Sequence, residues 1–260
     1  MNRISRVFQN LHSQSKKAIV PYITPEFPIR GTSVPLILAL ESAGASMIEI
    51  GVPFSDPLAD GPTIQHSSDI AIKNGVNVSK VFELVKEART KTEIPLMLMG
   101  YVNPILNYGM EKFLSDAKSV GVDGMIIPDL LPEESEEYRA LSKKYGISTV
   151  FLIAPTSSDE RIRVIDDLST DFTYCVSVTG VTGARSSFGS GIDQFLSRVK
   201  KNTKKPFVVG FGIKNKEQAT EMCRHSSGVV VGSALLQEIA EKKNVDDVVA
   251  AAKKFISSLV

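Results

Sequence analysis

The sequence contains few cysteines and histidines, and neither type occurs in an arrangement that binds metals. Cys175 lies in an apolar run and Cys223 in a helical pattern, and the chain has no CxxC motif. Isolated cysteines of this kind indicate buried thiols in a reducing compartment. The histidines at positions 12, 66 and 225 do not follow strand-like runs and lack ligand spacing. This pattern excludes a zinc aldolase, and we expect His66 to be a surface or capping residue and no metal to be bound.

The sequence also lacks long apolar runs and an excess of one charge. The first seventeen residues hold no apolar stretch typical of a signal peptide, and no later run approaches the roughly 20 apolar residues of a membrane span. Thirty basic against 29 acidic residues give a formal charge of +1. Proteins that bind nucleic acid or anionic membranes usually carry a stronger basic bias. We therefore expect a cytoplasmic protein that binds neither.

The chain does contain a repeated alternation of short apolar runs and helical segments. Eight strand-like runs begin at residues 18, 47, 95, 124, 149, 173, 206 and 228. They are apolar on both faces, as parallel strands are when helices cover one face and a barrel interior fills the other. Gly44, Gly121 and Gly146 end helical segments before the next run. At 260 residues the chain also has about the length of one (β/α)8 barrel.

These features predict a single α/β domain over residues 1–260, a (β/α)8 TIM barrel with an extra N-terminal helix. Ile4, Val7, Phe8 and Leu11 have the helical spacing of a segment that covers the barrel floor. A doubly wound open sheet is the alternative architecture, but it would not normally need an eighth strand.

Glu49 lies within the second run, between Ile48 and Ile50. Alternation along a strand turns the two isoleucines toward the helices and Glu49 into the barrel. A core carboxylate paired with a basic residue is the alternative, but none of the eight runs contains a basic residue. The same absence excludes a lysine Schiff base on a strand. A buried carboxyl group without a partner has a raised pKa, so Glu49 suits proton transfer near neutral pH.

Two further places fall at the ends of strands, where the active site of a barrel lies. The loop 52–63 is long and stiffened by prolines, and its Asp56 and Asp60 are either functional groups or turn formers and helix caps. Glycine-rich turns begin at residues 180, 210 and 232, after the last three runs. Glycine lets backbone N–H groups approach an anion, so these turns predict a phosphate site.

The segment IEIGVPFSDPLADGPTIQ, residues 48–65, resembles the signature of the tryptophan synthase alpha chain family. The resemblance continues in family order through MGYVNPILNYG from residue 99, IPDLLPEES from 127, VSVTGVTGAR from 176, VGFGI from 209 and VVGSALL from 230. One departure is the segment Pro25–Pro28 after the first run, where the family more often has a Gly-Asp-Pro turn. The resemblance implies a lyase of tryptophan biosynthesis that cleaves indole-3-glycerol phosphate to indole and glyceraldehyde 3-phosphate.

The resemblance also implies roles for individual residues. Glu49 and Asp60 would be the catalytic carboxylates. The phosphate contacts would be Gly183, Gly212, Gly232 and Ser233, and the residues around the indole would be Tyr22, Tyr101, Tyr174 and Thr182.

A partner is implied as well, namely a pyridoxal-phosphate-dependent beta subunit in an alpha2beta2 heterotetramer, whereas the chain itself would need no cofactor. The predicted contact surface comprises Pro53, Asp56, Pro57, Leu131 and Pro132. Three alternatives remain: another phosphate-binding barrel enzyme, a catalytically silent partner-binding barrel, and a stand-alone lyase that releases indole.

Overall fold

The computed structural model describes residues 1–176 and 190–260, without the side chain of Ser190. Its strands form one parallel sheet in the order β5-β4-β3-β2-β1-β9-β8-β7-β6. The strands are β1 Ala18–Ile23, β2 Ile48–Gly51, β3 Leu96–Met99, β4 Gly124–Ile126, β5 Ser148–Val150, β6 Leu152–Ile153, β7 Thr173–Val176, β8 Phe207–Gly210 and β9 Gly228–Val231. All eight predicted runs contain strand, which confirms the predicted parallel architecture.

The sheet closes into a barrel through the chain itself. β5 pairs with β4 and β6 pairs with β7, and only Phe151 separates β5 from β6. The backbone N–H of Phe151 donates to the hydroxyl of Ser169 at 3.1 Å. One predicted strand is therefore split in two, and eight strand positions surround the interior. The barrel prediction is confirmed, and the open sheet is excluded.

Helices connect the strands and cover the outside of the barrel. They are α1 Arg3–Ser13, α2 Ser33–Ser42, α3 Pro62–Lys73, α4 Val78–Arg89, α5 Val102–Tyr108, α6 Met110–Val120, α7 Glu136–Tyr145, α8 Asp159–Leu168, α9 Ser190–Asn202, α10 Lys216–Cys223, α11 Ser233–Ala240 and α12 Val245–Ser257. Side-chain caps fix several starts: Asn77, Ser158, Asn215 and Asn244 accept N–H groups of the first turns of α4, α8, α10 and α12. Gly44, Gly121 and Gly146 have φ of +103°, +93° and +64°, which confirms the predicted glycine stops.

The N-terminal helix α1 closes the barrel at the end where the strands begin. Ile4 and Phe8 are buried, and the Phe8 ring lies 5.3 Å from the ring of Phe172, centroid to centroid. Arg3 donates to Asp123, which directly precedes β4, and Arg89 donates to the same carboxylate at 2.9 Å. The predicted floor helix is confirmed, and ion pairs as well as apolar contacts hold it.

Within the two described ranges, no helix is long and apolar enough to cross a membrane.

The segment after β1 has a backbone conformation that the sequence did not predict. Glu26 has φ +57° and the Phe27–Pro28 peptide bond is cis. The Glu26 carboxylate accepts the hydroxyl of Ser33 at 2.6 Å, and Asn74 donates to the Glu26 carbonyl oxygen at 2.8 Å. These bonds tie the segment to α2 and to the residue after α3.

Candidate active site

Glu49 lies inside the barrel in the middle of β2. Its Cα is paired with Tyr22 of β1 on one side and with Met97 of β3 on the other. The residue is 1% exposed, and neither carboxylate oxygen has a hydrogen-bond partner among the described residues. Loss of hydration on burial, and secondly the nearby charge of Asp60, raise the pKa of Glu49 to about 8. Glu49 therefore carries its proton at neutral pH and can give it up at little cost.

The barrel interior around and below Glu49 is filled by side chains. The residues that line it belong to seven strands or directly precede β2 and β7; they are Val20, Met47, Glu49, Met97, Ile126, Phe172, Tyr174, Val208 and Val230. The space between them has no room for a water molecule. Met47 and Glu49 both face this space, as the alternation of the sequence predicted. The packed interior therefore keeps water away from the Glu49 carboxyl group on the side of the barrel floor.

Asp60 lies at the end of the loop that follows β2, directly before Gly61 and α3. Its carboxylate is half-buried and hydrogen-bonded to the phenol of Tyr101, whose oxygen also accepts the backbone N–H of Ala59 at 3.0 Å. Burial raises the pKa of Asp60 to about 6, and the bond from Tyr101 limits that rise. The ring of Phe54 packs on Tyr101 with centroids 5.5 Å apart. Asp60 is thus ionised at neutral pH and held in a fixed loop.

Tyr22 and Tyr174 are buried tyrosines whose hydroxyls lie against glycines of neighbouring strands. A Cβ added to Gly51 would lie 2.0 Å from the Tyr22 oxygen, and one added to Gly210 would lie 2.6 Å from the Tyr174 oxygen. Loss of hydration on burial raises both phenol pKa values, and the charges of Glu49 and Asp60 raise them further. Both hydroxyls therefore stay protonated near the two carboxylates, and the two glycines are required to make room for them.

The predicted phosphate contacts follow the last two strands of the sheet. Gly212 comes two residues after β8 and has φ +68°, a backbone conformation that favours glycine. Gly232 directly precedes α11, and Ser233 is the first residue of that helix. The first N–H groups of a helix have no partner within it and attract anions. Gly183 and Thr182 lie outside the described residues.

The predicted partner-contact residues differ in exposure. Pro53, Pro57 and Pro132 are buried, whereas Asp56 is exposed. The exposed apolar side chains at this end of the barrel belong to leucines instead: Leu58 is 93% exposed, Leu106 56% and Leu131 51%. Leu58 and Leu106 were not predicted. The position of Leu58 beside Pro57 in a loop could have indicated its exposure. Leu106 lies in a helical pattern in which a leucine is expected to be buried.

No group of three or more metal-binding side chains occurs in the described ranges. His66 is exposed, and its ring meets that of Phe27 edge-on at 6.4 Å, centroid to centroid. Near the mouth of the barrel, the Glu49 carboxyl group is protonated and the Asp60 carboxylate is ionised at pH 7. Such a pair is able to donate a proton and to stabilise a positive charge in one reaction.

Comparison with known proteins gives one consistent family. The sequence model of the tryptophan synthase alpha chain matches residues 8–259. The tryptophan synthase alpha chain of Chlorobium chlorochromatii is 45% identical over 99% of this chain and 98% of its own, and that of Thermoanaerobacter is 44% identical over 100% and 98%.

Solved structures agree with this result. Tryptophan synthase subunit alpha from Legionella pneumophila superposes with a TM-score of 0.92 at 35% identity, covering 100% of this chain and 97% of the other. A chain of a tryptophan synthase complex from Pyrococcus furiosus superposes with a TM-score of 0.86 at 38% identity, covering 93% and 97%. Sequence and fold thus point to the same family over nearly the whole chain.

Proposed function

The chain belongs to the tryptophan synthase alpha chain family, and we propose that Glu49 and Asp60 are the residues that perform its chemistry. The enzyme is a carbon–carbon lyase of tryptophan biosynthesis, which cleaves indole-3-glycerol phosphate to indole and glyceraldehyde 3-phosphate. The observation that carries the residue assignment is that Glu49 is buried in the barrel without a hydrogen-bond partner, whereas Asp60 lies at its mouth and is bonded to Tyr101. These surroundings give pKa values of about 8 for Glu49 and about 6 for Asp60, so only Asp60 is ionised at neutral pH.

Glu49 acts first as an acid and then as a base. Its proton goes to the ring carbon that bears the glycerol chain, and the ring becomes a cationic electron sink. The bond between that carbon and the chain then breaks, and its electron pair restores the neutral indole ring. The adjacent glycerol hydroxyl gives its proton to the Glu49 carboxylate as the aldehyde forms. Glu49 ends protonated, as it began.

Asp60 stabilises the intermediate of this reaction. In its ionised form it faces the ring N–H and opposes the positive charge that protonation places on the indole. Tyr101 supports this role because it fixes the Asp60 carboxylate and the neighbouring Ala59 N–H with one hydroxyl group. Tyr22, Tyr101 and Tyr174 surround the ring, and Thr182, which lies outside the described residues, is assigned to the same pocket.

The phosphate group is held by Gly183, Gly212, Gly232 and Ser233. The support for this assignment is the start of α11 at Ser233 and the positive φ of Gly212. Binding at this end fixes the glycerol chain and so contributes to the rate through orientation. These steps need only proton transfers and electrostatic stabilisation, and we propose that the chain uses no cofactor of its own.

The Glu49→Gln variant tests the assignment of the acid and base. The amide keeps the shape of the side chain but transfers no proton, so indole release should fall by roughly 10²- to 10⁴-fold, with little change in KM. Residual activity above about a tenth of the wild-type rate would contradict the role of Glu49. Circular dichroism and gel filtration show whether the variant is folded.

We further propose that this barrel binds a pyridoxal-phosphate-dependent beta subunit in an alpha2beta2 heterotetramer. The support is the relative from Pyrococcus furiosus, whose solved structure is that of a tryptophan synthase complex. Leu58, Leu106 and Leu131 are exposed and follow the neighbouring strands β2, β3 and β4, so all three belong to segments on the same side of the barrel mouth. Pro53, Pro57 and Pro132 are buried and Asp56 is exposed in the same two loops as Leu58 and Leu131.

Mixing the chain with its cognate beta subunit tests this interface by gel filtration and by indole-forming turnover. Leu58→Ser should weaken the complex by about 10-fold or more, because it removes a leucine whose burial is worth about 1.5–3 kcal/mol. Val164→Ser, at a 43% exposed position of α8, serves as the matched control. Absence of comigration and of any rate change would leave the stand-alone lyase as the correct alternative.

We also propose that residues 1–260 form one domain, since the nine strands of the described ranges belong to one sheet. A cytoplasmic location is supported by the two unpaired cysteines, Cys175 and Cys223.

A further inference from the structure

The proposed reaction leaves Glu49 ionised between its two proton transfers, and no positively charged side chain among the described residues contributes to its pKa. Asp60, itself negative, is the only charged group of the described residues that shifts the pKa of Glu49. A buried carboxylate without hydrogen-bond donors is strongly destabilised. The titratable groups near it are Tyr22 from β1, Tyr174 from β7 and Asp60 from the loop after β2. Tyr101, from the loop after β3, is bonded to Asp60.

Tyr22 is a donor on the strand directly beside that carboxylate. Its Cα and that of Glu49 are direct partners on neighbouring parallel strands, so the two side chains leave the same face of the sheet at the same level. The Tyr22 hydroxyl lies over Gly51, two residues further along β2 toward the mouth. It therefore sits above Glu49, on the side from which substrate enters, and Tyr22 is only 5% exposed.

We propose that the Tyr22 hydroxyl is a positioning group for the reaction, which donates a hydrogen bond to the Glu49 carboxylate in the interval between its two proton transfers. The inference rests on the proposed function of Glu49. The bond stabilises the anion formed when the ring carbon takes the proton, and it holds the carboxylate toward the glycerol hydroxyl that it deprotonates next. No atom is transferred to or from Tyr22.

The environment keeps Tyr22 a donor throughout. Burial raises its phenol pKa well above the usual 10, and the charge of Asp60 raises it further. A phenol that stays neutral at every working pH cannot compete with Glu49 for the proton. Gly51 is part of the same arrangement, because any side chain there would occupy the position of the hydroxyl.

The test compares Tyr22→Phe with Tyr138→Phe, which removes a buried phenol of α7 outside the site. Tyr22→Phe keeps the ring, and we expect kcat to fall by about 10- to 100-fold with KM within about twofold, the scale of one hydrogen bond to a charged group. Without the donor the pKa of Glu49 rises, so the alkaline limb of the pH profile should move up by about one to two units. Tyr138→Phe should change neither.

A second variant keeps the hydroxyl and changes only its strength. Incorporation of 3-fluorotyrosine at position 22 makes a stronger donor, so the alkaline limb should move down. An unchanged kcat and an unchanged limb in both variants would overturn the proposal, as would equal losses in Tyr22→Phe and Tyr138→Phe without a shift of the limb. Failure of the proposed function appears elsewhere, as full activity of Glu49→Gln or as no indole release by the wild type.

Discussion

The Tyr101 hydroxyl oxygen lies 3.0 Å from the backbone nitrogen of Ala59 and accepts its hydrogen bond. The same hydroxyl is hydrogen-bonded to the carboxylate of the next residue, Asp60. Tyr101 directly precedes α5, so an element that follows β3 fixes the loop that follows β2. One side chain therefore controls both the backbone and the charge of the residue proposed to stabilise the indole cation.

Tyr101→Phe should shift the acid limb of the activity profile. The hydrogen bond lowers the pKa of Asp60, so its removal raises that pKa above about 6. A larger fraction of Asp60 is then protonated at pH 6–7, and kcat should fall most on the acid side. Tyr108→Phe, whose phenol bonds Asp116 at 2.7 Å, is the control. An acid limb that stays in place would show that the bond does not tune Asp60.

The wild-type enzyme should have a bell-shaped pH profile with its maximum near pH 7. Activity requires ionised Asp60, with a pKa of about 6, and protonated Glu49, with a pKa of about 8. In Asp60→Asn the acid limb should disappear, and the alkaline limb should move down because the charge of Asp60 no longer raises the pKa of Glu49. Initial rates of indole release from pH 5 to 9 measure both limbs. A flat profile would contradict the pair.

Glu49→Gln should stabilise the fold at alkaline pH. The folded protein holds the Glu49 proton up to a pKa of about 8, against an ordinary value of 4.5. Stability therefore falls as pH rises from 4.5 to 8, by an amount on the order of 5 kcal/mol, and this cost persists above pH 8. The neutral amide does not ionise, so the variant does not lose this stability. The Tm of the variant should exceed that of wild type more at pH 9 than at pH 5.5, with exposed Glu217→Gln as the control.

Gly232→Asp should raise KM by about 10-fold or more, whereas Gly232→Asn should raise it much less. A Cβ at position 232 would lie 3.3 Å from the Cβ of Tyr22, so both variants require the same small shift of the neighbour. They differ only in the negative charge placed at the start of α11. Inorganic phosphate should raise the Tm of wild type and not that of the aspartate variant. Equal KM values in the two variants would place the phosphate elsewhere.

Patterns along the chain were sufficient to predict the barrel and the position of Glu49. Strand periodicity depends on local sequence, and each run is long enough to be recognised by its apolar residues. The alternation of residues along the strand was enough to predict that the Glu49 side chain points inward. The absence of basic residues from the runs predicted that it has no ion-pair partner, and the structure shows none among the described residues. The start of α1 and the glycine stops are also local signals.

Tertiary contacts account for what the sequence did not predict. The break at Phe151 depends on the Ser169 hydroxyl, which is eighteen residues away and receives the N–H that a continuous strand would use. A proline in a loop sequence does not show whether its ring is buried or exposed. In the loop after β2, Pro53 and Pro57 are buried, whereas Leu58 is exposed. The bond between Tyr101 and Ala59 joins two loops and leaves no pattern in either.

The packed interior below Glu49 offers protons no route through the barrel. Among the described residues that line this interior, Glu49 and Tyr174 are the ionisable ones, and the space that they share with Met47, Met97 and Phe172 is too small for a solvent molecule. A proton reaches or leaves this carboxyl group only through the mouth, where substrate itself binds. Bound substrate therefore blocks the route between Glu49 and the solvent. After Glu49 has protonated the ring, its new proton comes from the same substrate molecule and not from the solvent. Hydrogen taken from the glycerol hydroxyl should accordingly stay in the enzyme until product departs.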